Sequence, residues 1–110
     1  MDVWKKGMEI VQRTYDMTAS FPKHETYGLI SQMRRAAVSV PSNIAEGFNR
    51  RHNKEYRQFL YVGLGSCAEL ETQCEIAFNL KYFDQIMKTK FLDLIQHESR
   101  MLTNLIECLK

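Results

Sequence analysis

The segment LISQMRRAAVSVPSNIAEGF, residues 29–48, indicates the fold most clearly. Its apolar residues recur at every third or fourth position, which is the spacing of one face of an α-helix. These residues are Leu29, Met33, Ala36 or Ala37, Val40, Ile44 and Phe48. Pro41 lies inside the stripe, where it lacks an amide hydrogen and crowds the preceding turn. We therefore expect a helix kinked between Val38 and Pro41, with a break into two helices as the alternative.

The same spacing appears before this segment, in a first helix near the N-terminus. We expect Asp2 to cap this helix and Ser20–Lys23 to end it, because Pro22 disfavours helical geometry at the residue before it. The apolar stripe that we assign to the core is Trp4, Met8, Val11, Tyr15 and Thr18.

Two further helices follow residue 48. The third opens at Asn53, a favourable N-cap residue, and runs to about Asn79. Asp84 is the expected cap of the fourth, whose apolar stripe runs from Met87 to Cys108. Short connections join antiparallel neighbours, so the predicted fold is all-α: an antiparallel up-down-up-down four-helix bundle.

Length and composition restrict the class of protein. The chain of 110 residues has the size of one domain, so we expect a single domain over residues 1–110. Five glycines and two prolines are too few for the turns of an all-β fold. No stretch approaches the roughly 20 apolar residues that span a bilayer, and no signal peptide is recognisable. Cys67, Cys74 and Cys108 form no C-x-x-C motif, and we expect reduced, buried thiols in a cytoplasmic protein with no membrane partner.

Motifs that would indicate an enzyme are weak. Residues 63–68, GLGSCA, match the G-x-G-x-x-A pattern of a dinucleotide-binding loop. That fold requires several parallel strands, whereas the residues that follow Ala68 have helical spacing. Small residues that let two helices approach closely are the better interpretation. No histidine belongs to a Glu-x-x-His pair, and no nucleophile with a base can be argued. We expect no cofactor, no metal and no enzymatic activity.

Positive charge is concentrated in one part of the chain, although the net charge is only +2. Residues 34–57 contain six basic and two acidic residues, whereas residues 66–110 contain five basic and seven acidic residues. In an up-down bundle, the first turns of helix one, the turn between helices two and three, and the C-terminus with Lys110 lie at one end. We expect this end to bind RNA or DNA phosphates by charge. The candidate contacts are Arg50, Arg51, Lys54 and Arg57, with Lys5, Lys6, Arg34 and Arg35 as weaker candidates.

The third helix carries more apolar surface than a bundle needs. Residues 59–64, FLYVGL, would be apolar on every face of a helix. The excess predicts an oligomer interface that includes Phe59, Tyr61 and Val62. A wide core stripe with one exposed tyrosine, Tyr61, is the alternative.

Polar side chains lie on or beside the stripes of the second and third helices. They are Gln32, Arg34, Arg35, Ser39, Asn43, Glu46, Ser66, Glu69 and Gln73. Buried polar groups are costly unless they are paired, so we expect hydrogen bonds between these helices. Arg34 or Arg35 is the expected partner of Glu69.

With these residues in view, the chain resembles the bacterial four-helix-bundle proteins encoded in intervening sequences of large-subunit ribosomal RNA genes. The matching text comprises Val3-Trp4-Lys5, Phe21-Pro22, Glu25, Tyr27-Gly28-Leu29, Gln32 to Ala37, Ser39 to Gly47, Phe59-Leu60, Gly65-Ser66 and Glu69-Leu70. Relatives of that family include the accessory variability determinant of diversity-generating retroelements, which forms five-fold rings and binds nucleic acid and a reverse transcriptase.

The resemblance implies a pentameric ring of four-helix bundles and supplies no catalytic residue. Together with the residues, it leads to a non-catalytic homo-oligomer that binds RNA or DNA through its basic end. The alternative is a scaffold for a partner protein, such as a reverse transcriptase or polymerase, with no direct role on nucleic acid.

Overall fold

A computed structural model describes all 110 residues, which form four α-helices and no β-strand. The helices are α1 (Asp2–Thr18), α2 (Leu29–Phe48), α3 (Asn53–Asn79) and α4 (Gln85–Cys108). A single 3₁₀ turn, Lys23–Glu25, lies between α1 and α2. Both α1 and α3 contact α2 and α4, so the four helices close around one core. This arrangement confirms the all-α four-helix bundle.

The second helix is continuous through Pro41, so the alternative of two separate helices is wrong. Its predicted stripe is buried from Leu29 to Ile44, while Phe48 at its end is 60% exposed. Pro41 is itself buried in the bundle. A kink at this residue stays a prediction.

The core face of α1 differs from the prediction by about one residue. Trp4, Met8 and Tyr15 are each about two-fifths exposed. The buried residues are Val3, Gly7, Ile10, Thr14, Met17 and Thr18. Thr14 and Thr18 can be buried because their hydroxyls donate to backbone carbonyls one turn earlier, each at 2.7 Å. The bundle therefore buries a face that combines aliphatic side chains with a glycine and two threonines, and it leaves Trp4, Met8 and Tyr15 beside that face partly exposed.

The helix starts follow the predictions only in part. Asp84 caps α4 as expected, since its Oδ1 accepts a hydrogen bond from the Met87 amide at 2.9 Å. Asp2 and Asn53 were the wrong caps, because both lie inside the first turn of their helices. His52 keeps an extended backbone and takes the cap position before α3, without a side-chain hydrogen bond.

The connection between α3 and α4 is tied to the connection between α1 and α2. Lys81 has φ of 65°, and the next amide, that of Tyr82, bonds to the Ala77 carbonyl at 3.0 Å, which closes the end of α3. Tyr82 then donates its hydroxyl to Glu25 Oε2 at 2.7 Å, and its ring lies 5.1 Å from that of Phe21. Both connections therefore share one end of the bundle, as an up-down topology requires.

One carboxyl is buried in the centre of the bundle. Glu98 on α4 is fully buried, and neither of its carboxyl oxygens has a hydrogen-bond partner. Its Oε2 faces α1 at Gly7, where a Cβ atom would lie 3.0 Å away. Burial raises the pKa of Glu98 to about 8, and nearby Lys6 opposes the rise. The carboxyl is therefore mostly neutral at pH 7.

The cysteines are free thiols. Cys67 and Cys74 are buried, and burial raises the pKa of both to about 12, so neither is a thiolate near neutral pH. Cys108 is exposed, which corrects the expectation of three buried thiols, because it lies at the last residue of α4. None of the four helices combines the length and the apolar character needed to cross a bilayer.

Candidate nucleic-acid interface

Basic residues from four segments lie at the end of the bundle that holds the α2–α3 turn, opposite the α1–α2 and α3–α4 connections. We call this region the basic end; it comprises Lys5, Lys6, Arg50, Arg51, Lys54, Arg57 and Lys110. The Arg57 guanidinium donates to the Leu109 carbonyl, which joins the start of α3 to the end of α4. Trp4 and Phe48 line one groove, which places the start of α1 beside the end of α2. The segments that the topology brings together thus meet in the structure.

Several cations of the basic end already have partners. Arg50 bonds to the Glu46 carboxylate one turn earlier, and its guanidinium lies 4.8 Å over the Phe59 ring. Lys110 pairs with Glu107 at 3.0 Å, and Lys6 pairs with Glu9 at 3.8 Å. These contacts fix the side chains in place and neutralise part of their charge.

Three cations of the basic end have no such partner. Lys5, Arg51 and Lys54 are exposed, and no carboxylate lies within 4.0 Å of any of them. They come from α1, from the α2–α3 turn and from the first turn of α3. Their charge is therefore available to an anion in solution.

Arg34 and Arg35 lie elsewhere. They are 14 and 13 residues before Phe48, the last residue of α2, or about 20 Å from that end along the helix axis. The Arg34 Nε donates to Thr18 Oγ1 at 2.9 Å, and its guanidinium lies 4.4 Å over the Tyr15 ring. The structure does not bring either arginine to the basic end.

The expected ion pair of Glu69 with Arg34 or Arg35 was wrong. Arg34 points towards α1, whereas Glu69 projects from α3, and Arg35 shares a groove with Glu69 without forming an ion pair. The broader expectation of hydrogen bonds between α2 and α3 is confirmed. The Ser66 hydroxyl of α3 donates to Ser39 Oγ of α2 at 2.8 Å, and within α2 the Asn43 Nδ2 donates to the same oxygen at 2.9 Å.

The predicted interface residues fall into two environments. Tyr61 and Val62 are each about half exposed and form an outward surface that we call the α3 patch. Phe59 is partly covered within its own protomer, since Arg50 lies over its ring and Gly47 packs against it. Phe59 therefore has less exposed surface to offer a second protomer than Tyr61 and Val62 have.

A second apolar surface was not predicted from the sequence. Five exposed side chains on α1 and α2 form what we call the α1–α2 surface. They are Trp4, Met8, Tyr15, Val38 and Phe48. Grooves between the two helices include residues from both, at Trp4 with Phe48 and at Tyr15 with Val38. The sequence carries a signal for this surface, because α1 has apolar residues on two neighbouring faces. An excess of apolar surface on α3 predicts an interface there by the same reasoning.

The glycine-rich segment lies inside α3 and forms no loop. Gly63 is buried, and a Cβ there would lie 3.7 Å from the Val40 carbonyl, which agrees with a close approach of two helices. Gly65 is exposed with no atom near the position of its missing Cβ, so it does not serve that purpose within the protomer. No group of three or more His, Cys, Asp or Glu residues is placed to hold a metal ion.

Comparison with known proteins agrees with the fold. The model of the family described as 23S rRNA-intervening sequence protein matches residues 1–104. A crystal structure from Bacteroides thetaiotaomicron, of a protein with unknown function from the S23 ribosomal protein family, superimposes with a TM-score of 0.85 at 18% identity. The match covers 94% of this chain and 97% of that one, and at this identity it shows the fold alone. No curated protein matches the chain. The chain belongs to the 23S rRNA-intervening sequence protein family.

Proposed function

We propose that this protein is a non-catalytic, cytoplasmic homo-oligomer that binds RNA or DNA phosphates through its basic end. The observation that carries the proposal is the set of three exposed cations, Lys5, Arg51 and Lys54, that no carboxylate neutralises. Phosphates bind such cations by charge and counterion release, with little reading of sequence. The free, buried thiols of Cys67 and Cys74 suit the reducing cytoplasm.

Arg50 and Arg57 support the same surface in a different way. Each is held by contacts within the protomer, to Glu46 and Phe59 or to the Leu109 carbonyl. The Glu46 carboxylate neutralises part of the charge of Arg50, and Arg57 already uses a donor on the Leu109 carbonyl, so both have less to offer a phosphate than an unpaired cation. We therefore assign Arg50 and Arg57 a secondary role beside Arg51 and Lys54.

The oligomer that we propose is a ring, and two different apolar surfaces support it. The α3 patch and the α1–α2 surface lie on different helices of one protomer. Contact between two unlike surfaces is head-to-tail, and such contacts form a closed ring when the rotation between copies closes. A pentamer, which the resemblance implies, would repeat the basic end five times around one rim.

The test is binding of a fluorescent single-stranded oligouridine, measured by anisotropy at low salt. The variant Arg51→Glu with Lys54→Glu should bind on the order of tenfold more weakly, or worse, because two phosphate contacts are lost and repulsion is added. The matched control is Lys23→Glu with Lys90→Glu, which changes the charge equally at exposed positions away from the basic end. Equal weakening by both pairs, or no binding by the wild-type protein, would contradict the proposal.

A protein partner is the second candidate, and the α1–α2 surface favours it. Exposed aromatic side chains such as Trp4 and Tyr15 are common in protein interfaces. A partner such as a reverse transcriptase or polymerase should then remain bound after nuclease treatment in a pull-down. Loss of that partner in Trp4→Glu, but not in Arg51→Glu, would support this candidate over binding through nucleic acid.

A further inference from the structure

A polar groove between α2 and α3 is separate from the basic end. It has a volume of about 290 Å³ and is open to solvent. We call it the α2–α3 groove; its lining residues are Gln32, Arg35, Ala36, Ser39, Ser66, Glu69 and Gln73. Six of these seven side chains can form hydrogen bonds.

The register of the two antiparallel helices shows how the groove is built. Ser39 and Ser66 oppose each other and are joined by the 2.8 Å hydrogen bond between their hydroxyls. Moving one turn along both helices places Ala36 opposite Glu69, and one further turn places Gln32 opposite Gln73. Ala36 is small and buried, so a space remains above it between the longer side chains.

The polar groups around this space lack partners within the protein. Gln73 is only 8% exposed, and its buried carbonyl Oε1 accepts no hydrogen bond. Arg35 and Glu69 are exposed on the same groove, yet neither forms an ion pair or a side-chain hydrogen bond. Gln73 Oε1 is closed off from solvent, so the groups that a ligand in the groove can reach are the guanidinium of Arg35, which donates, and the carboxylate of Glu69, which accepts.

The ligand must therefore accept hydrogen bonds on one side and donate them on another. Guanine meets both conditions, because O6 and N7 accept and the neighbouring N1–H and N2–H groups donate. Adenine would present an amino group to the guanidinium of Arg35 and a ring nitrogen acceptor to the carboxylate of Glu69. Uracil and cytosine each direct only one N–H group at their pairing edge, so neither can donate to both carboxylate oxygens of Glu69 as guanine does.

We propose that the α2–α3 groove binds one unpaired guanine base, with Arg35 donating to O6 and N7 and Glu69 accepting from N1–H and N2–H. The volume suits a single base, since pockets for larger ligands start at about 300 Å³. The source of the base as single-stranded RNA rests on the proposed function, and a free guanine nucleotide has the same chemistry.

The test compares fluorescent single strands of equal length, a uridine-rich strand that carries guanines and the same strand with adenines in their place. The wild-type protein should bind the guanine strand about tenfold more tightly than the adenine strand, the range of one good base contact. Glu69→Gln and Ala36→Leu should each abolish this preference while leaving binding of oligouridine unchanged. Thermal unfolding serves as the control that each variant is folded. If Ala36→Leu does not fold, Glu69→Gln still provides the test, because Glu69 is exposed and its replacement disturbs no core packing.

The same binding measurements distinguish the guanine site from phosphate binding at the basic end. Equal binding of all strands, or a guanine preference that survives Glu69→Gln, overturns the guanine site and leaves the basic end untouched. If no strand binds, the proposed function fails. The affinities for guanosine monophosphate and adenosine monophosphate then show whether the α2–α3 groove binds a guanine base. Tighter binding of guanosine monophosphate that Glu69→Gln removes supports a site for the free nucleotide, and equal or absent binding of both overturns the site.

Discussion

Replacing Glu98 by Gln should remove most of the pH dependence of this protein's stability between pH 4.5 and about pH 8. The carboxyl is buried in the bundle without a hydrogen-bond partner, and its Oε2 faces Gly7. Burial raises its pKa from 4.5 to about 8, against the attraction of Lys6. In this window the folded chain keeps the proton, whereas the unfolded chain releases it.

The sign of the effect follows from this difference in bound protons. Below pH 4.5 the carboxyl is protonated in both states, and the bundle has its full stability. Stability then falls as pH rises towards about 8, where the folded carboxyl also ionises and the loss levels off. Because one pKa unit corresponds to about 1.4 kcal/mol, the loss approaches roughly 5 kcal/mol as an upper limit. That is a large part of the roughly 5–15 kcal/mol by which a domain is stable.

The assay is urea unfolding of the wild-type protein and Glu98→Gln at a series of pH values across the window. The free energy of unfolding of the wild-type protein should fall by several kcal/mol, while that of Glu98→Gln should change much less. Asp93→Asn is the matched control, because Asp93 is an exposed acid on the same helix and its loss should leave the wild-type slope intact. Parallel profiles for the wild-type protein and Glu98→Gln would refute the assignment of a buried, neutral carboxyl.

Three further predictions concern glycines, a turn and the interface. Gly47→Ala should destabilise the bundle by about 1–3 kcal/mol, because its Cβ would lie 2.9 Å from side-chain atoms of α3. Gly65→Ala, in open space within the same bundle, should stabilise it by about 0.5–1 kcal/mol. In urea unfolding, a Gly47→Ala variant as stable as the wild-type protein, or a destabilised Gly65→Ala variant, would contradict the packing described. Lys81→Gly should stabilise by roughly 1 kcal/mol, because φ is 65° there; a lower melting temperature would argue against that conformation. Tyr61→Asp with Val62→Asp should lower the mass from light scattering towards the 12.9 kDa protomer, whereas a monomeric wild-type protein would exclude the proposed interface.

Helical spacing predicts most of this fold, and α1 shows where it fails. The stripe of α2 combines strongly apolar residues with a clear period, and Asp84 marks the start of α4. The predicted α4 stripe is buried in its middle, whereas Met87 and Cys108 at its two ends are exposed. On α1 the buried face includes Thr14 and Thr18, whose hydroxyls are satisfied inside the helix. The predicted stripe includes Thr18 correctly, but it counts Thr14 as polar and Trp4 as core, so over most of α1 it selects the neighbouring face.

The location of the basic end could be predicted, but its internal pairing could not. Up-down topology alone brings the start of α1 and the α2–α3 turn to one end. The pairing of Arg50 with Glu46, and its position over Phe59, depend on rotamers that a linear sequence does not show. The α2–α3 groove depends on the register of two helices, which places Ala36 opposite Glu69.

The salt dependence of RNA binding tests the central claim, that the basic end binds phosphates by charge, most directly. A plot of the logarithm of affinity against the logarithm of salt concentration should fall steeply, by about 0.7 for each phosphate of a single strand that is contacted. Arg51→Glu with Lys54→Glu should make that slope shallower by roughly the value of two contacts. A slope near zero for the wild-type protein, or the same slope in this variant, would contradict the account.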